Sequence, residues 1–258
     1  AKADAVIHLA AQAGVRYSGE NPRAYLESNI AGTFNLLEAV RANHCRHLLV
    51  ASTSSVYGAN PERPLAEHHK TDHAISFYGA TKKATETLAH SYAHLYALPT
   101  TVLRFFTVYG PWGRPDMALF KFTKHILAGE PIEVYGHGRM TRDFTYVDDT
   151  VEAVRRLIDL PPVRGDAGIA GETSPVAPYR VVNIAGGAPL ELKEFIAAIE
   201  PAVGRKAKRV DLSMQPGDVP ATHGDTRVLE GLTGFRPAVS VRDGVAAFVE
   251  WYRAYHGA

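Results

Sequence analysis

The sequence predicts an α/β protein, a doubly wound parallel sheet followed by a smaller C-terminal α/β lobe. Three observations carry that expectation. Apolar runs that read as buried strands alternate with segments of helical periodicity, in the order β-α-β-α-β, over residues 1–110. A hydroxyl-rich turn follows one of these strands, at the end where open parallel sheets receive their ligands. Beyond Gly110 the punctuation changes, as Pro111, Gly113 and Pro115 open a loop and the segments shorten.

The elements follow in order. Asp4-Ala5-Val6-Ile7-His8-Leu9-Ala10-Ala11 reads as a core strand with almost nothing before it. Pro22 to Asn43 carries Tyr25, Leu26, Ile30, Phe34, Leu37 and Val40 at helical spacing, with Asn21 as cap and Pro22 at the first position, and predicts an amphipathic helix. His47 to Thr53 is the next strand, Tyr78 to Ala97 the next helix and Thr100 to Thr107 a third strand, so this half is Rossmann-like. A helix near Leu119 to Ala128, short strands flanking Gly136-His137-Gly138 and a helix from Val147 to Leu160 begin the second lobe. The proline- and glycine-rich stretch 161–178 reads as a surface loop without chemistry. A strand Tyr179 to Ala185 and helices near Glu191 to Val203 and Val241 to Tyr255 complete the map. The expected division is 1–110 and 111–258, with some later segments returning to the sheet.

A nucleotide-binding α/β domain normally opens with strand, glycine-rich turn and helix, then a carboxylate about 20 residues on. Neither precedes the first strand here, so the chain is expected to begin within a domain whose first βαβ units are missing. With 258 residues, 46% hydrophobic and 21% charged, it is long enough to bury an ordinary core. A net charge of +1 with scattered signs offers no footprint for nucleic acid. One cysteine, Cys45, excludes an internal disulfide and fits a reducing, cytoplasmic setting, and no apolar run reaches the length of a membrane span.

Ser52-Thr53-Ser54-Ser55-Val56-Tyr57-Gly58, with Tyr78-Gly79-Ala80-Thr81-Lys82, supplies a hydroxyl, a phenol and an ammonium suited to taking a proton from an alcohol. Tyr78 and Lys82 are four apart on a helix and share a face. An unperturbed tyrosine titrates near 10, so an adjacent cation is needed before it serves as a base at neutral pH. Other chemistries find less support. His90 and His94 are spaced to pinch a metal but lack the Glu of His-Glu-x-x-His. His44, Cys45 and His47 are too bunched for a zinc finger, and Gly-x-Ser-x-Gly is absent. No metal site is expected.

Together these segments resemble the extended short-chain dehydrogenases/reductases, the NAD-dependent epimerase/dehydratase family, from residue 1 to about 255. The resemblance implies that roughly 70 to 80 residues are missing, two βα units of about 30 or more. It implies NAD as cofactor, with Thr53 bonding the substrate hydroxyl, Tyr78 as base, and Lys82 binding the nicotinamide ribose and tuning the tyrosine. By the same likeness Leu9, Ala10, Ala11, Gln12, Asn29, Ser52, Phe106 and Pro111 lie on the cofactor. Arg16, Ser54, Ser55 and Thr107 face the sugar, Arg114 and Arg142 grip the diphosphate, Val134 and Tyr135 flank the uracil, and Gln215 and Asp218 hold the uridine ribose. Thr107 departs from the Asn found there in many galactose epimerases. Dehydratases of the family carry Asp-Glu after the Thr, and decarboxylating members carry Glu where Ser55 stands. Ser54 and Ser55 supply neither, which leaves return of the hydride. The phrases Ala11-Gln12-Ala13-Gly14-Val15-Arg16-Tyr17-Ser18, Thr107 to Ala118 and Gln215-Pro216-Gly217-Asp218-Val219 look most like UDP-glucuronate 4-epimerases, with UDP-glucose/galactose 4-epimerases, sugar dehydratases or decarboxylases, and a non-catalytic fragment as the alternatives. A homodimer through helices 22–43 and 78–97 is implied as well.

Overall fold

The computed structural model describes residues 3–215 and 218–257. Its strands are β1 Ala5–His8, β2 His47–Thr53, β3 Thr100–Phe105, β4 Thr107–Tyr109, β5 Pro131–Tyr135, β6 Thr141–Tyr146, β7 Tyr179–Ile184, β8 Pro189–Glu191 and β9 Lys208–Leu212. The chain forms two compact units.

The first unit comprises the chain up to Phe106 with Glu152–Ile184 and Gly224–Arg236. Its sheet is parallel, in the order β1-β2-β3-β7, with Ala5 opposite His47, Leu48 opposite Thr100 and Thr100 opposite Tyr179. Every residue of β2 and β7 is buried, because the sheet is covered on both faces and alternation has no reason to arise. On one face Leu48, Val50 and Val102 pack with Leu37, Val40, Ala89 and Ala93; on the other Leu49, Leu103 and Ile184 pack with Leu157, Val228 and Leu229.

The first crossover is helical but interrupted. Pro22–Tyr25 is α-helical, Leu26–Ala31 forms a π-helical turn and Gly32–Ala42 is α-helical again, with the Asn21 side chain capping Ala24 N–H at 3.4 Å. The buried stripe is Tyr25, Asn29, Thr33, Leu37 and Val40, whereas Leu26 and Phe34 are about half exposed, at 48% and 47%. An apolar face that includes Leu26, Ile30 and Phe34 is therefore corrected. Two polar residues occupy the inward stripe, and a purely apolar periodicity cannot find it. The second crossover, Phe77–Tyr96, is capped by the Ser76 hydroxyl, which accepts Gly79 N–H at 3.0 Å, and ends in a left-handed Ala97. Its buried face also carries polar groups, namely Thr81, Lys82, Thr85 and Glu86 beside Ala89 and Ala93.

The expected strand Thr100 to Thr107 divides at Phe106, where the chain passes from one unit to the other: β3 belongs to the four-stranded sheet and β4 to another. His90 and His94 hold the loop 161–178, through Ser174 Oγ and the Val176 carbonyl, each at 2.8 Å.

The second unit comprises Thr107–Val151, Ala185–His223 and the chain from Pro237. Its strands are ordered β4-β6-β8, with β5 and β9 as a separate parallel pair. Helices Ala118–Ala128, Leu192–Val203 and Val241–His256 close a core in which the Phe144 and Phe195 rings stack at 4.0 Å. Strand β9 was not anticipated. Lys208, Arg209 and Asp211 give it a charged, largely exposed character that resembles a loop.

Candidate active site

In the first unit, three segments converge on the head of the helix Phe77–Tyr96. The turn after β2 is a short 3₁₀ helix, Ser54–Tyr57, started by Thr53, whose Oγ1 accepts Ser55 N–H at 3.2 Å and donates to Ser55 Oγ at 3.3 Å. Gly79 allows the helix to approach that turn, because a Cβ there would lie 2.7 Å from the Ser55 carbonyl oxygen. Tyr78, beside it, is half-buried and takes the Tyr25 ring edge-on at 6.0 Å. The Tyr25 hydroxyl is bonded to the carbonyls of Ala13 and Gly14, at 3.0 and 2.6 Å, and so ties the segment after β1 to the same place.

Lys82 is 3% exposed, and its ammonium has no hydrogen-bond partner among the described residues. Burial pushes it down to about 8, against the opposing charge of Glu86 one turn on. His8 at the end of β1 is held below its ordinary value by burial and by Lys82, and its Nε2 lies 3.2 Å from Thr33 Oγ1. A cation on a buried side chain, one helical turn from a half-buried phenol, is a setting in which a phenolate is favoured.

Asn29 is fully buried. Its Oδ1 accepts Gln12 N–H at 2.8 Å, while Nδ2 donates to the Gln12 carbonyl at 3.1 Å and to Thr81 Oγ1 at 3.0 Å. It thus clamps the loop after β1 to the helix of Tyr78, with no exposed surface. Leu9, Ala10 and Ala11 are exposed and Gln12 is half-buried, so the backbone of this segment is open to approach. The Ser52 hydroxyl is directed away, donating to Glu86 Oε1 at 2.6 Å, and Phe106 is 6% exposed and packs on Tyr57. Neither side chain is presented to a ligand as expected.

In the second unit, Arg142 is the second residue of β6 and donates to the Thr141 carbonyl at 2.9 Å. The segment carrying Asp218 is pinned beside it: Thr141 N–H donates to the Pro220 carbonyl at 2.9 Å and Thr222 N–H to the Thr141 carbonyl at 3.0 Å. Asp218 N–H closes a turn on the Gln215 carbonyl at 3.2 Å, while Pro216 and Gly217 lie outside the described residues. Tyr135 ends β5 half-buried, donating to Glu133 Oε2 at 2.8 Å. Val134 is 1% exposed, since alternation in β5 sends it into the core with Ile132, so its side chain does not flank a base. Arg114 forms a two-pronged ion pair with Asp116, at 3.0 and 2.6 Å, and holds that carboxyl below its usual range. Thr107 and Pro111 are half-buried and Arg16, in the first unit, is exposed.

Sequence reasoning missed the support of the site. Glu86, Arg104, Tyr25 and Gly79 hold the functional groups, and the one signal available was Glu86, four residues after Lys82 as Lys82 is four after Tyr78.

Known proteins agree with this geometry. Residues 1–169 match the NAD dependent epimerase/dehydratase family. A probable UDP-glucuronate 4-epimerase of Rhizobium meliloti is 56% identical over 257 residues, 98% of this chain and 75% of the relative. Among solved structures, the UDP-glucuronic acid 4-epimerase of Bacillus cereus in complex with UDP-glucuronic acid and NAD is 33% identical, with a TM-score of 0.83 over 98% of this chain and 76% of that one. The UDP-glucose 4-epimerase of Thermotoga maritima with UDP-glucose is 30% identical, with a TM-score of 0.85 over 98% and 78%. The match over more than half of its length, together with the Tyr78 and Lys82 pair on the buried face of one helix, places this chain in the NAD dependent epimerase/dehydratase family.

Proposed function

We propose that the protein interconverts UDP-glucuronate and UDP-galacturonate by epimerisation at C4. The observation that carries this reading is the turn Thr53-Ser54-Ser55, a run of small hydroxyls without a carboxylate, set against the head of the helix bearing Tyr78 and Lys82. Identity of 56% to the R. meliloti relative and likeness to the B. cereus enzyme with UDP-glucuronic acid and NAD point to the same substrate. NAD fits the first unit: no hydrogen bond within the described residues engages the Lys82 ammonium, and Leu9, Ala10 and Ala11 are exposed, with Gln12 half-buried. Tyr78 and Lys82 with the Leu9–Gln12 backbone would hold it, and when bound it supplies the acceptor and then the donor of the C4 hydride.

Tyr78 takes the proton from the sugar O4–H as the C4–H bond breaks, leaving a 4-keto sugar. Lys82, while charged, stabilises the phenolate that does so. Thr53 donates a hydrogen bond to O4 and fixes its direction. The 4-keto sugar turns about its pyrophosphate tether, and the forked geometry of Arg114 and Arg142, in the second unit, suits phosphate oxygens. Hydride returns to the opposite face and Tyr78 gives its proton back to O4, so no net redox results. Ser54 and Ser55 bond the C6 carboxylate and hold it away from the perpendicular alignment that favours loss of CO₂, and they offer no base for C5.

The experiment is incubation of the full-length protein with NAD and UDP-glucuronate, with nucleotide sugars separated by chromatography. UDP-galacturonate is the expected product; turnover of UDP-glucose alone would move the assignment to the glucose/galactose reading that the T. maritima relative represents.

The same reading includes a homodimer through the helices 22–42 and 77–96, on which Leu26, Phe34, Phe77, Leu95 and Tyr96 are each more than 40% exposed. Sedimentation should give twice the chain mass, and Phe34→Asp with Leu95→Asp should give the monomer. We place the protein in the cytoplasm, consistent with its buried free Cys45 and with the absence among the described residues of a helix long and apolar enough to cross a membrane; fractionation tests this.

A further inference from the structure

Tyr78, Lys82 and Glu86 stand at four-residue intervals along one face of the helix Phe77–Tyr96. The Glu86 carboxylate is buried and fully engaged. Oε1 accepts the Ser52 hydroxyl at 2.6 Å and Arg104 Nε at 2.9 Å, and Oε2 accepts Arg104 Nη2 at 2.9 Å and Lys83 Nζ at 3.3 Å. Each contact reaches a different piece of the site. Ser52 precedes Thr53 on β2. Arg104, on β3, donates to the Glu67 carbonyl at 3.0 Å and covers the Tyr57 ring at 4.8 Å, at the far end of the Ser54–Tyr57 turn. One carboxylate therefore joins the helix of the base to the strand and turn that face the sugar.

Stability alone does not call for this arrangement, since a buried ion pair exchanged for apolar side chains of similar volume is often neutral or better. What apolar contacts cannot supply is a directional three-way tie and a negative charge one turn from Lys82. We infer that Glu86 is a positioning residue for epimerisation, holding the Tyr78 and Lys82 face at a fixed separation from Thr53 and presenting the anion that faces the Lys82 ammonium. The inference rests on the epimerase reading given above.

The charged surroundings are few. Lys82 faces Glu86 on its own helix and His8 from β1. Glu86 faces Arg104 from β3, Lys83 from its own helix and the Ser52 hydroxyl from β2, while the Tyr179 hydroxyl of β7 donates to its main-chain carbonyl at 3.3 Å. Burial raises the Glu86 carboxyl, and Arg104, Lys83 and Ser52 together more than reverse this, so Glu86 is an anion at working pH. Burial draws Lys82 towards its neutral form and Glu86 draws it back. Without Glu86 the ammonium gives up its proton at lower pH, and the phenolate of Tyr78 loses its support there.

The test is kcat against pH for the full-length protein with UDP-glucuronate, beside NMR titration of lysine Nζ groups, which reads Lys82 without turnover. For Glu86→Gln we expect kcat lower by about tenfold to a hundredfold, the scale of a misplaced reacting group. KM should stay within about threefold, and the alkaline limb and the Lys82 titration should both move down by about one pH unit. Glu86→Leu with Arg104→Met removes both charges, so no guanidinium is left buried alone, and it should show the same downward move. Glu86→Asp should recover part of the rate; if neither other variant folds, an unaltered kcat in Glu86→Asp overturns the inference. A folded Glu86→Gln with parental kcat, or with reduced kcat but parental limb and Lys82 titration, also overturns it. If the parent turns over no UDP-glucuronate the epimerase reading fails, and an unmoved Lys82 titration in Glu86→Gln would then overturn the Glu86 inference separately.

Discussion

At the scale of single residues, the chemistry was legible wherever it depends on local spacing. Tyr78 and Lys82 are four apart on a helix, and Thr53 ends a strand, so all three could be named from the sequence. Arg104 was not legible, because its partner Glu86 lies on another element and the pairing exists only in the fold. The burial of the Val134 side chain was not legible for a related reason, since the inward side of β5 is set by packing. Tyr78→Phe removes the proposed base while keeping the ring that packs on Tyr25, and kcat should fall by at least about a hundredfold with little change in melting temperature. Lys82→Ala should raise the pH at which activity appears, because the phenol is left to titrate without its cation; a profile of kcat against pH checks both. Ser55→Glu brings a carboxylate to the turn proposed to face the sugar. Mass spectrometry of the products should reveal a UDP-pentose or 4-keto-pentose, or epimerisation slowed by repulsion of the substrate carboxylate, and parental epimerisation would place Ser55 away from C6.

At the scale of elements, the longer strands and helices were legible to within a residue or two, whereas β8, β9 and the helix Arg227–Thr233 were not, nor were the inward faces of the two crossover helices. Their buried stripes carry Asn29, Thr33, Thr81, Lys82 and Glu86, polar groups that an apolar count assigns to solvent. These stripes bear the site, so the pattern fails where function intrudes on packing. Gly79 tests how closely the elements must approach. Its alanine variant would place a methyl against the Ser55 main chain, which cannot swing aside as a side chain can. The helix head must then retreat, taking Tyr78 with it. Gly79→Ala should cost about 1 to 3 kcal/mol in denaturant titration, the range of overpacked sites, and lower kcat by tenfold or more through lost alignment. Parental activity with parental stability would show that the turn and helix are not in register contact.

At the scale of the whole molecule, the alternation of strands and helices predicted the parallel sheet, while the pairing of β7 with β3 and the grouping of Gly224–Arg236 with the same unit depend on distant contacts that no local window contains. That sheet buries two titratable groups whose effects on stability oppose each other. His47 is held neutral, its Nδ1–H donating to the Ile158 carbonyl at 2.9 Å and its Nε2 lying 2.9 Å from Thr101 Oγ1, and burial pushes it down to about 4. Glu67, at the Asn183 N–H, is pushed up to about 7 by burial. As pH falls below 6.5 the unfolded histidine takes a proton that the folded one refuses, so His47 withdraws stability down to about pH 4. As pH falls through 7 the folded Glu67 takes a proton that the unfolded one accepts only near 4.5, so Glu67 returns stability over almost the same window. Acidification from pH 7 to pH 5 should therefore cost His47→Asn about 2 kcal/mol less than the parent, and Glu67→Gln about 2 to 3 kcal/mol more. Guanidinium titrations of the three proteins at both pH values measure the differences. Shifts of the same sign in both variants would mean that one of the two groups is not buried in the ionisation state assigned to it.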